Sequence, residues 1–393
     1  MTYLKHNNTA NSLFNSWLYY IALTFTVLYL IRYATSWTAY KDLDFLFRYF
    51  AFFFTTGLLL FSFLSYNIQG KLLFFFIILL SLVVGHNSNG IELLYFSSVL
   101  IFGAQGLSFK SIVKVHFLIS LLFCLMNIFG NYVGIIPDAL FVGEKTDLFL
   151  EGMNRKSYGY DWCTDFASHV FYITLSYWII KNGEFNKKEI FLITCISVFI
   201  LFETGTRMTF LMLLVLVVLS LYYRCRGKYG VPKYLWFFLV MSTPLFFSLS
   251  LFLTIQYDET NIYWNLADMV CSGRLHLGQD AIIEEGIPWL GQIYKMYGSG
   301  NSLPGEYYNY IDNTYIQYLV IYGIVISFLM LISNFFICYR AYKRKDCLIA
   351  LAVSLSSLFG IITQFHYNIG FCPLLLATFA NIYSNKYNDE QYA

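Results

Sequence analysis

The chain is poor in charged residues, and this shortage excludes an ordinary water-facing surface. Of its 393 residues, 12% are charged and 58% are hydrophobic, whereas a soluble globular domain carries roughly 25% charged residues. The net charge of +2 gives no indication of a nucleic-acid partner. Apolar runs such as FLFRYFAFFFTTGLLLFSFL are long enough to cross a bilayer core of about 30 Å as helices of ~20 residues. The composition therefore predicts an all-α polytopic helical membrane protein.

Familiar cofactor and metal motifs are also missing. The sequence contains no Walker A loop, no dinucleotide-binding glycine pattern, no H-E-x-x-H and no G-x-S-x-G. Its 8 cysteines lack C-x-x-C spacing and fall mostly inside apolar runs, which is typical of small buried side chains rather than of a disulfide framework or a metal site. We therefore expect neither a cofactor nor a metal ion.

The apolar runs predict about twelve transmembrane helices in a single integral membrane domain, residues 1–393. These spans are 13–33, 45–66, 71–84, 90–104, 112–136, 165–181, 188–203, 207–223, 234–255, 313–338, 347–364 and 366–383. The short connections RCRGKYGVPK and RAYKRKD are the most basic in the chain. Placing them inside, as the positive-inside rule requires, puts both termini in the cytoplasm.

Two connections on the opposite, external side are unusually long, at residues 137–164 and 256–312. Long loops in a compact architecture usually carry function. The larger one lies between the ninth and tenth spans and holds most of the remaining polar and many aromatic residues. Its stretch SGRLHLGQDAIIEEG predicts a short helix that lies on the outer interface.

Three arginines are the candidate ligand-binding residues on this side: Arg155 in GMNRKSYGY, Arg207 in ETGTRMTF and Arg274 in CSGRLHLG. A guanidinium is always charged and its planar fork binds two oxygens at once, which suits phosphate and pyrophosphate. In a membrane protein such a ligand would be lipid-linked. The alternative for each arginine is a simple interfacial anchor that reaches lipid headgroups.

From Arg155 onward the chain resembles the bacterial O-antigen and capsular polysaccharide polymerases (Wzy type) and the related O-antigen ligases. The resemblance covers about residues 150–330. It rests on four stretches: RKSYGYDWCTDFASHVF, ETGTRMTFLMLLVL, CSGRLHLGQDAI followed by PWLGQIYKMYGSG, and the pair Asp312 and Asn313 followed after nine residues by Gly323. The ligases carry His where Asp312 stands, so the polymerase branch fits better.

The resemblance implies a polysaccharide polymerase of the bacterial cytoplasmic membrane. Such an enzyme joins undecaprenyl-pyrophosphate-linked repeat units at the outer face by inverting glycosyl transfer, without nucleotide or metal. Donor and acceptor glycans are both lipid-linked, and a chain-length regulator and a flippase are separate partners. It also implies that Arg207 and Arg274 bind the pyrophosphate, with Arg155 as a third contact.

The reaction needs a general base for the acceptor hydroxyl, and Asp312 and then His276 are the candidates. Asp312 and Asn313 precede an apolar run in YIDNTYIQYLVIYG, which is also how a capped helix begins. We expect Asn313 to be structural and Asp312 both to cap and to react. The alternative for His276 is an ordinary loop histidine.

Two other functions stay open. A transporter or flippase of lipid-linked oligosaccharide also has about twelve spans, but transporters usually show internal repeats, and the sequence shows none. An O-antigen ligase would share the fold and the donor, and Asp312 in the histidine position argues against it.

Overall fold

The computed structural model of the protein describes residues 9–137, 141–142, 154–226, 232–271, 273–297 and 308–382. Nearly all of its regular structure is helical, so the prediction of an all-α protein is confirmed. Both ends of the chain and parts of the predicted loops 137–164 and 256–312 lie outside the described residues.

The described helices follow one another along the chain with short connections in most places. The α-helices are α1 (Thr9–Ile31), α2 (Thr38–Asp42), α3 (Asp44–Ser65), α4 (Ile68–Ser88), α5 (Ile91–Gly103), α6 (Phe109–Tyr132), α7 (Cys163–Ile180), α8 (Lys187–Thr204), α9 (Arg207–Arg226), α10 (Lys233–Ile255), α11 (Ile262–Val270), α12 (Arg274–Glu285), α13 (Thr314–Gln317), α14 (Gly323–Lys343) and α15 (Cys347–Phe359). A π-helix (Tyr318–Tyr322) joins α13 to α14. The strands β1 (Phe141–Val142) and β2 (Asn154–Arg155) form one antiparallel pair.

Several long apolar helices indicate a membrane protein. Within the described residues, 7 helices are long and apolar enough to cross a membrane: Asn15–Ala34, Asp44–Ser65, Ile68–Ser88, Phe109–Tyr132, Arg207–Cys225, Lys233–Ile255 and Thr314–Lys343. They expose large apolar side chains, for example Phe53 at 71% and Leu64 at 72%. Contiguous exposed apolar surface of this kind is expected where lipid replaces water.

The centre of the bundle is formed by α7 and α15, whose side chains are almost all buried. Helix α7 packs against α6, α8, α9 and α15, and α15 also packs against α10 and α14. A helix that is apolar on all its faces is expected in such an enclosed position. The first turn of α7 is therefore held firmly at one end of the bundle.

The last predicted span, 366–383, is wrong as a transmembrane helix. Residues 366–382 form turns and the 3-10 helix Pro373–Thr378. The Asn368 side chain accepts a hydrogen bond from the Gly370 N–H, and Pro373 has no N–H to donate, so both residues favour a turn over a helix. The segment is apolar because the protein encloses nearly all its side chains. The other predicted spans overlap described helices, and 313–338 is divided among α13, the π-helix and α14.

This enclosed segment follows the full length of the helix 314–343. At the helix start, the Thr314 N–H donates to the carbonyl oxygen of Thr363 (3.1 Å). At its last turn, the Arg340 guanidinium donates to the carbonyl oxygens of Ala377 and Ala380, both at 2.9 Å. Residues 363–380 therefore run from one end of the bundle to the other. In a membrane protein, backbone without helical hydrogen bonds is tolerated at that depth only inside protein.

The predicted helix in SGRLHLGQDAIIEEG is present as α12, but it packs on the bundle instead of lying free on an interface. Leu275 and Leu277 are buried. Gly278 lies against the end of α10, where a Cβ atom in its place would be 3.1 Å from Thr254 Cγ2. The long connection between α10 and α13 is therefore anchored to the end of the bundle.

Gly323 interrupts the long helix after α13 and brings this same connection against it. Its φ of +82° is unfavourable for residues with a Cβ atom. A Cβ atom there would lie 2.7 Å from the carbonyl oxygen of Pro288 and 2.8 Å from the Gly291 nitrogen. The Ile324 N–H donates to Pro288 O at 2.9 Å, and the Gln292 N–H donates to Ile321 O at 2.9 Å. Residues 288–292 are thus fixed beside the helix by backbone hydrogen bonds.

Candidate active site

A cavity of about 420 Å³ lies at one end of the bundle, where the starts of α7, α9 and α12 meet residues 308–312 and the end of α15. Its walls combine cationic, acidic, hydroxyl and apolar side chains. They belong to Arg155, Trp162, Cys163, Thr164, Asp165, Ser168, Gly205, Thr206, Arg207, Met208, Thr209, Leu211, Val270, Arg274, Tyr308, Tyr310, Asp312, Phe359 and Ile362. The cavity brings together Arg155, Arg207, Arg274 and Asp312, four of the five residues singled out in the sequence.

The tight turn between α8 and α9 places Arg207 at the cavity. Gly205 ends α8 with a φ of +66°, and Arg207 is the first residue of α9. The hydroxyls of Thr204 and Thr206 hydrogen-bond to each other at 2.7 Å and stabilise the turn. The stretch ETGTR therefore ends α8 and begins α9, and its arginine lines the cavity.

Arg155 is attached to the same turn from outside. Its Nε donates to the carbonyl oxygen of Thr204 at 2.7 Å, which is one of the carbonyls left free at the end of α8. Arg155 is also one of the residues that line the cavity. Two arginines that are distant in the sequence are thus fixed to one short piece of backbone.

Arg274 reaches the cavity from the first turn of α12. Its Nη2 donates to Asp312 Oδ2 at 2.9 Å and its Nη1 to the carbonyl oxygen of Cys271 at 3.1 Å. The side chains of Arg274 and Asp312 are only 13% and 23% exposed. Burial raises the pKa of Asp312, and the neighbouring guanidinium opposes that rise. The two residues form a shielded ion pair in the cavity wall.

Asn313, and not Asp312, caps the helix that follows. Its Oδ1 accepts hydrogen bonds from the N–H groups of Tyr315 (3.0 Å) and Ile316 (3.3 Å). Its Nδ2 donates to Ser250 Oγ at 2.7 Å and so joins the cap to α10. The structural role expected for Asn313 is confirmed, whereas the capping role expected for Asp312 is wrong because its carboxylate is turned to Arg274.

His276 lies outside this cavity. Its Nδ1 is 2.6 Å from Asp268 Oδ2, and Asp268 Oδ1 accepts from the Leu275 N–H at 2.8 Å, which caps α12. The hydrogen bond with Asp268 raises the pKa of His276. Burial acts to raise the pKa of Asp268, but the bonds from His276 and Leu275 together lower it. The pair borders a separate acidic depression with Tyr257, Asp258, Glu259, Gln279 and Asp280.

The sequence did not single out Asp165 and Tyr310, which both line the cavity. Asp165 is in the first turn of α7 and is 6% exposed. The Tyr310 hydroxyl is 3.0 Å from Gln364 Oε1, to which it donates, and burial raises its pKa, so the hydroxyl keeps its proton. A signal for Asp165 does exist, because an aspartate opens the apolar run after YDWCT, just as Asp312 precedes a later one.

The cavity's own chemistry is that of an anion site with acidic neighbours. Arg155, Arg207 and Arg274 line the cavity together with Thr206 and Thr209, and guanidinium and hydroxyl groups suit a phosphate ligand. Among the described residues, no group of three or more His, Cys, Asp or Glu side chains is arranged to hold a metal ion. The groups present can bind an anion and transfer a proton.

Comparison with protein-family models, curated proteins and solved structures finds no match for this chain. The resemblance to polysaccharide polymerases therefore stays a prediction from the sequence.

Proposed function

We propose that the protein is a polysaccharide polymerase that transfers a glycan from one undecaprenyl pyrophosphate to a sugar hydroxyl of another lipid-linked repeat unit. One observation carries the proposal. Arg155, Arg207 and Arg274 come from distant parts of the chain and line a single cavity beside two carboxylates. Arginines that only anchor the protein at the membrane interface need not lie close together, whereas arginines that bind one diphosphate must.

Charge development explains why such a cluster would catalyse glycosyl transfer. The departing pyrophosphate gains negative charge as its bond to the anomeric carbon breaks, and fixed guanidiniums in a shielded pocket stabilise that charge. Holding donor and acceptor side by side supplies a further part of the rate acceleration. The turn at Gly205 and the ion pair with Asp312 keep Arg207 and Arg274 in place before the substrate arrives.

The apolar part of the wall supports a lipid-linked donor. Leu211 on α9 and Val270 at the end of α11 line the cavity and are 46% and 69% exposed. An isoprenoid chain can leave the cavity between them and lie in the bilayer, while its diphosphate stays with the arginines. A water-soluble nucleotide sugar would have no use for such a wall.

The proposed topology places the cavity at the outer face of the bacterial cytoplasmic membrane, with both termini in the cytoplasm. The cavity lies at the end of α8, whose first residues are Lys187 and Lys188, and at the start of the helix 314–343, whose last turn holds Arg340 and Lys343. Basic residues therefore lie at the far end of these helices, which the positive-inside rule assigns to the cytoplasm. Loops 137–164 and 256–312 would then be external, and the buried segment 363–380 would provide the twelfth crossing.

The proposal is tested by glycan length in cells that depend on this gene. We expect Arg207→Ala and Arg274→Ala each to lower polymerisation about 10²–10³-fold and to leave single repeat units on the outer face. Arg48→Ala is the matched control, because Arg48 is exposed, pairs with Glu92 and lies away from the cavity. It should leave the glycan ladder unchanged.

The same experiment separates the alternatives. A transporter would leave lipid-linked units on the cytoplasmic face when Arg207 or Arg274 is changed. An O-antigen ligase would leave full-length polymer on its lipid carrier. Either result contradicts the polymerase, as does a normal ladder in both arginine variants.

A further inference from the structure

A second carboxylate, Asp165, lines the same cavity as Asp312. Its side chain is buried and faces the space that the three arginines line. Within the described part of the chain it makes no ion pair and accepts no hydrogen bond. Burying a carboxylate without partners is unfavourable. We therefore expect a ligand to contact Asp165 or a reaction to use its carboxylate.

Asp312 is in a different state. Its Oδ2 accepts a charge-assisted hydrogen bond from Arg274 at 2.9 Å, and such bonds are about twice as strong as neutral ones. To take a proton, Asp312 would have to weaken that bond at the moment when Arg274 is needed for the leaving group. The ion pair therefore suits a residue that positions Arg274, and it leaves the acceptor hydroxyl without a base.

We propose that Asp165 is the general base and that Asp312 acts by holding Arg274; this inference rests on the proposed function. The acceptor hydroxyl oxygen attacks the anomeric carbon of the donor and forms the new glycosidic C–O bond. Its proton passes to a carboxylate oxygen of Asp165. The bond from the anomeric carbon to the pyrophosphate oxygen breaks, and undecaprenyl pyrophosphate leaves with the electron pair beside the arginines. Asp165 then returns the proton to water through the open side of the cavity.

A purely structural role for Asp165 is the competing explanation. An acidic residue in the first turn of a helix stabilises it by about 0.3–1 kcal/mol through the helix dipole. Neither carboxylate oxygen bonds a described backbone N–H, however, so Asp165 does not cap α7. A residue needed only for the dipole would lie equally well on the solvent side, where no desolvation opposes it.

Purified protein in nanodiscs tests the assignment with lipid-linked repeat units extracted from cells that lack the gene. Asp165→Asn should lower polymer formation about 10²–10⁴-fold while undecaprenyl pyrophosphate, added as the binding probe, still binds as in the wild type. Asp161→Asn is the matched control, since Asp161 precedes the same helix, pairs with Lys41 at 2.8 Å and does not line the cavity. Asp312→Asn should weaken binding of the probe.

Chemical rescue separates a base from a structural residue. Asp165→Ala should regain activity when formate is added, because a small carboxylate can enter the space left by the side chain and accept the proton. Loss of probe binding in Asp165→Asn, full activity in that variant, or failure of formate to rescue Asp165→Ala would each overturn the assignment while the polymerase stands. If the wild-type protein makes no polymer, the proposed function itself fails.

Discussion

Arg274 and Asp312 join the first turn of α12 to the residue before the Asn313 cap through one hydrogen bond of 2.9 Å. The pair is mostly shielded from solvent. It therefore links the connection between α10 and α13 to the start of the helix 314–343. The same contact that orients a cation in the cavity also fixes the position of the wall behind it.

Removing one partner of this pair should destabilise the protein. We expect Asp312→Ala to lower the free energy of unfolding by about 2–4 kcal/mol, because the shielded Arg274 then loses its charge-assisted hydrogen bond to Asp312. The double variant Asp312→Ala with Arg274→Met should be more stable than the sum of the single changes. A double-mutant cycle from thermal unfolding in detergent measures this coupling, and strictly additive effects would show that the pair does not act as a unit.

The pair of His276 and Asp268 should make stability depend on pH. The pKa of His276 is raised, so its contribution is complete below about pH 6.5 and is lost as pH rises through the folded value. The pKa of Asp268 is lowered, so its contribution is present above about pH 3.9 and is lost as pH falls through the folded value. His276→Gln should therefore lower the free energy of unfolding most between these two pH values. We expect a loss of about 0.5–1 kcal/mol, because the imidazole is partly exposed. Unfolding temperatures of both proteins measured across pH 4 to 9 test this, and a constant difference would contradict it.

Gly323→Ala should displace the connection that packs beside it. The new Cβ atom would meet the Pro288 carbonyl oxygen at 2.7 Å, and we expect a loss of about 2–4 kcal/mol. Gly106→Ala is the matched control, because Gly106 has a similar φ of +80° and nothing within 4 Å of the added atom. It should cost only about 1–2 kcal/mol for the backbone strain. Limited proteolysis should cut near residues 286–297 faster in Gly323→Ala alone, and equal behaviour of both variants would disprove the packing argument.

Asn313→Ala should remove a helix cap and a bond between helices. Loss of the two hydrogen bonds to Tyr315 and Ile316 should cost about 1–2 kcal/mol, and the unpaired hydroxyl of Ser250 adds to this. Asn261→Ala removes a cap of the same kind from the exposed helix α11, where Asn261 accepts from the Tyr263 N–H at 2.9 Å. We expect a smaller loss there, since water replaces the missing acceptor. Chemical denaturation of both variants provides the comparison.

Much of the fold was predictable because apolar runs and helix ends are local features. The apolar runs predicted the positions of most helices, and the Asp-Asn pair before an apolar run predicted the start of α13. The segment 366–382 was not predictable from hydropathy, since enclosure by protein and contact with lipid select the same side chains. Only Asn368 and Pro373 indicated that it would not be a helix.

The types of residue in the site could be predicted from the sequence better than their arrangement in space. Arg207 and Arg274 were singled out because an arginine at a membrane surface suits a phosphate ligand. The assignment of Asp312 as a cap was wrong because two adjacent side chains competed for that role, and the longer-range attraction of Arg274 decided it. His276 was placed with the arginines by its closeness to Arg274 in sequence, but side chains two residues apart on a helix lie on different faces.

The enclosed stretch from Thr363 to Ala380 also constrains how the protein is made. A lipid-facing helix can leave the translocon as soon as it is synthesised, since the bilayer satisfies its surface. This stretch depends on other parts of the chain, because some of its backbone groups find partners in a helix that was synthesised earlier: Thr363 O accepts from the Thr314 N–H and Ala377 O accepts from Arg340. We therefore expect the helices that enclose the stretch to close around it only after it has been synthesised.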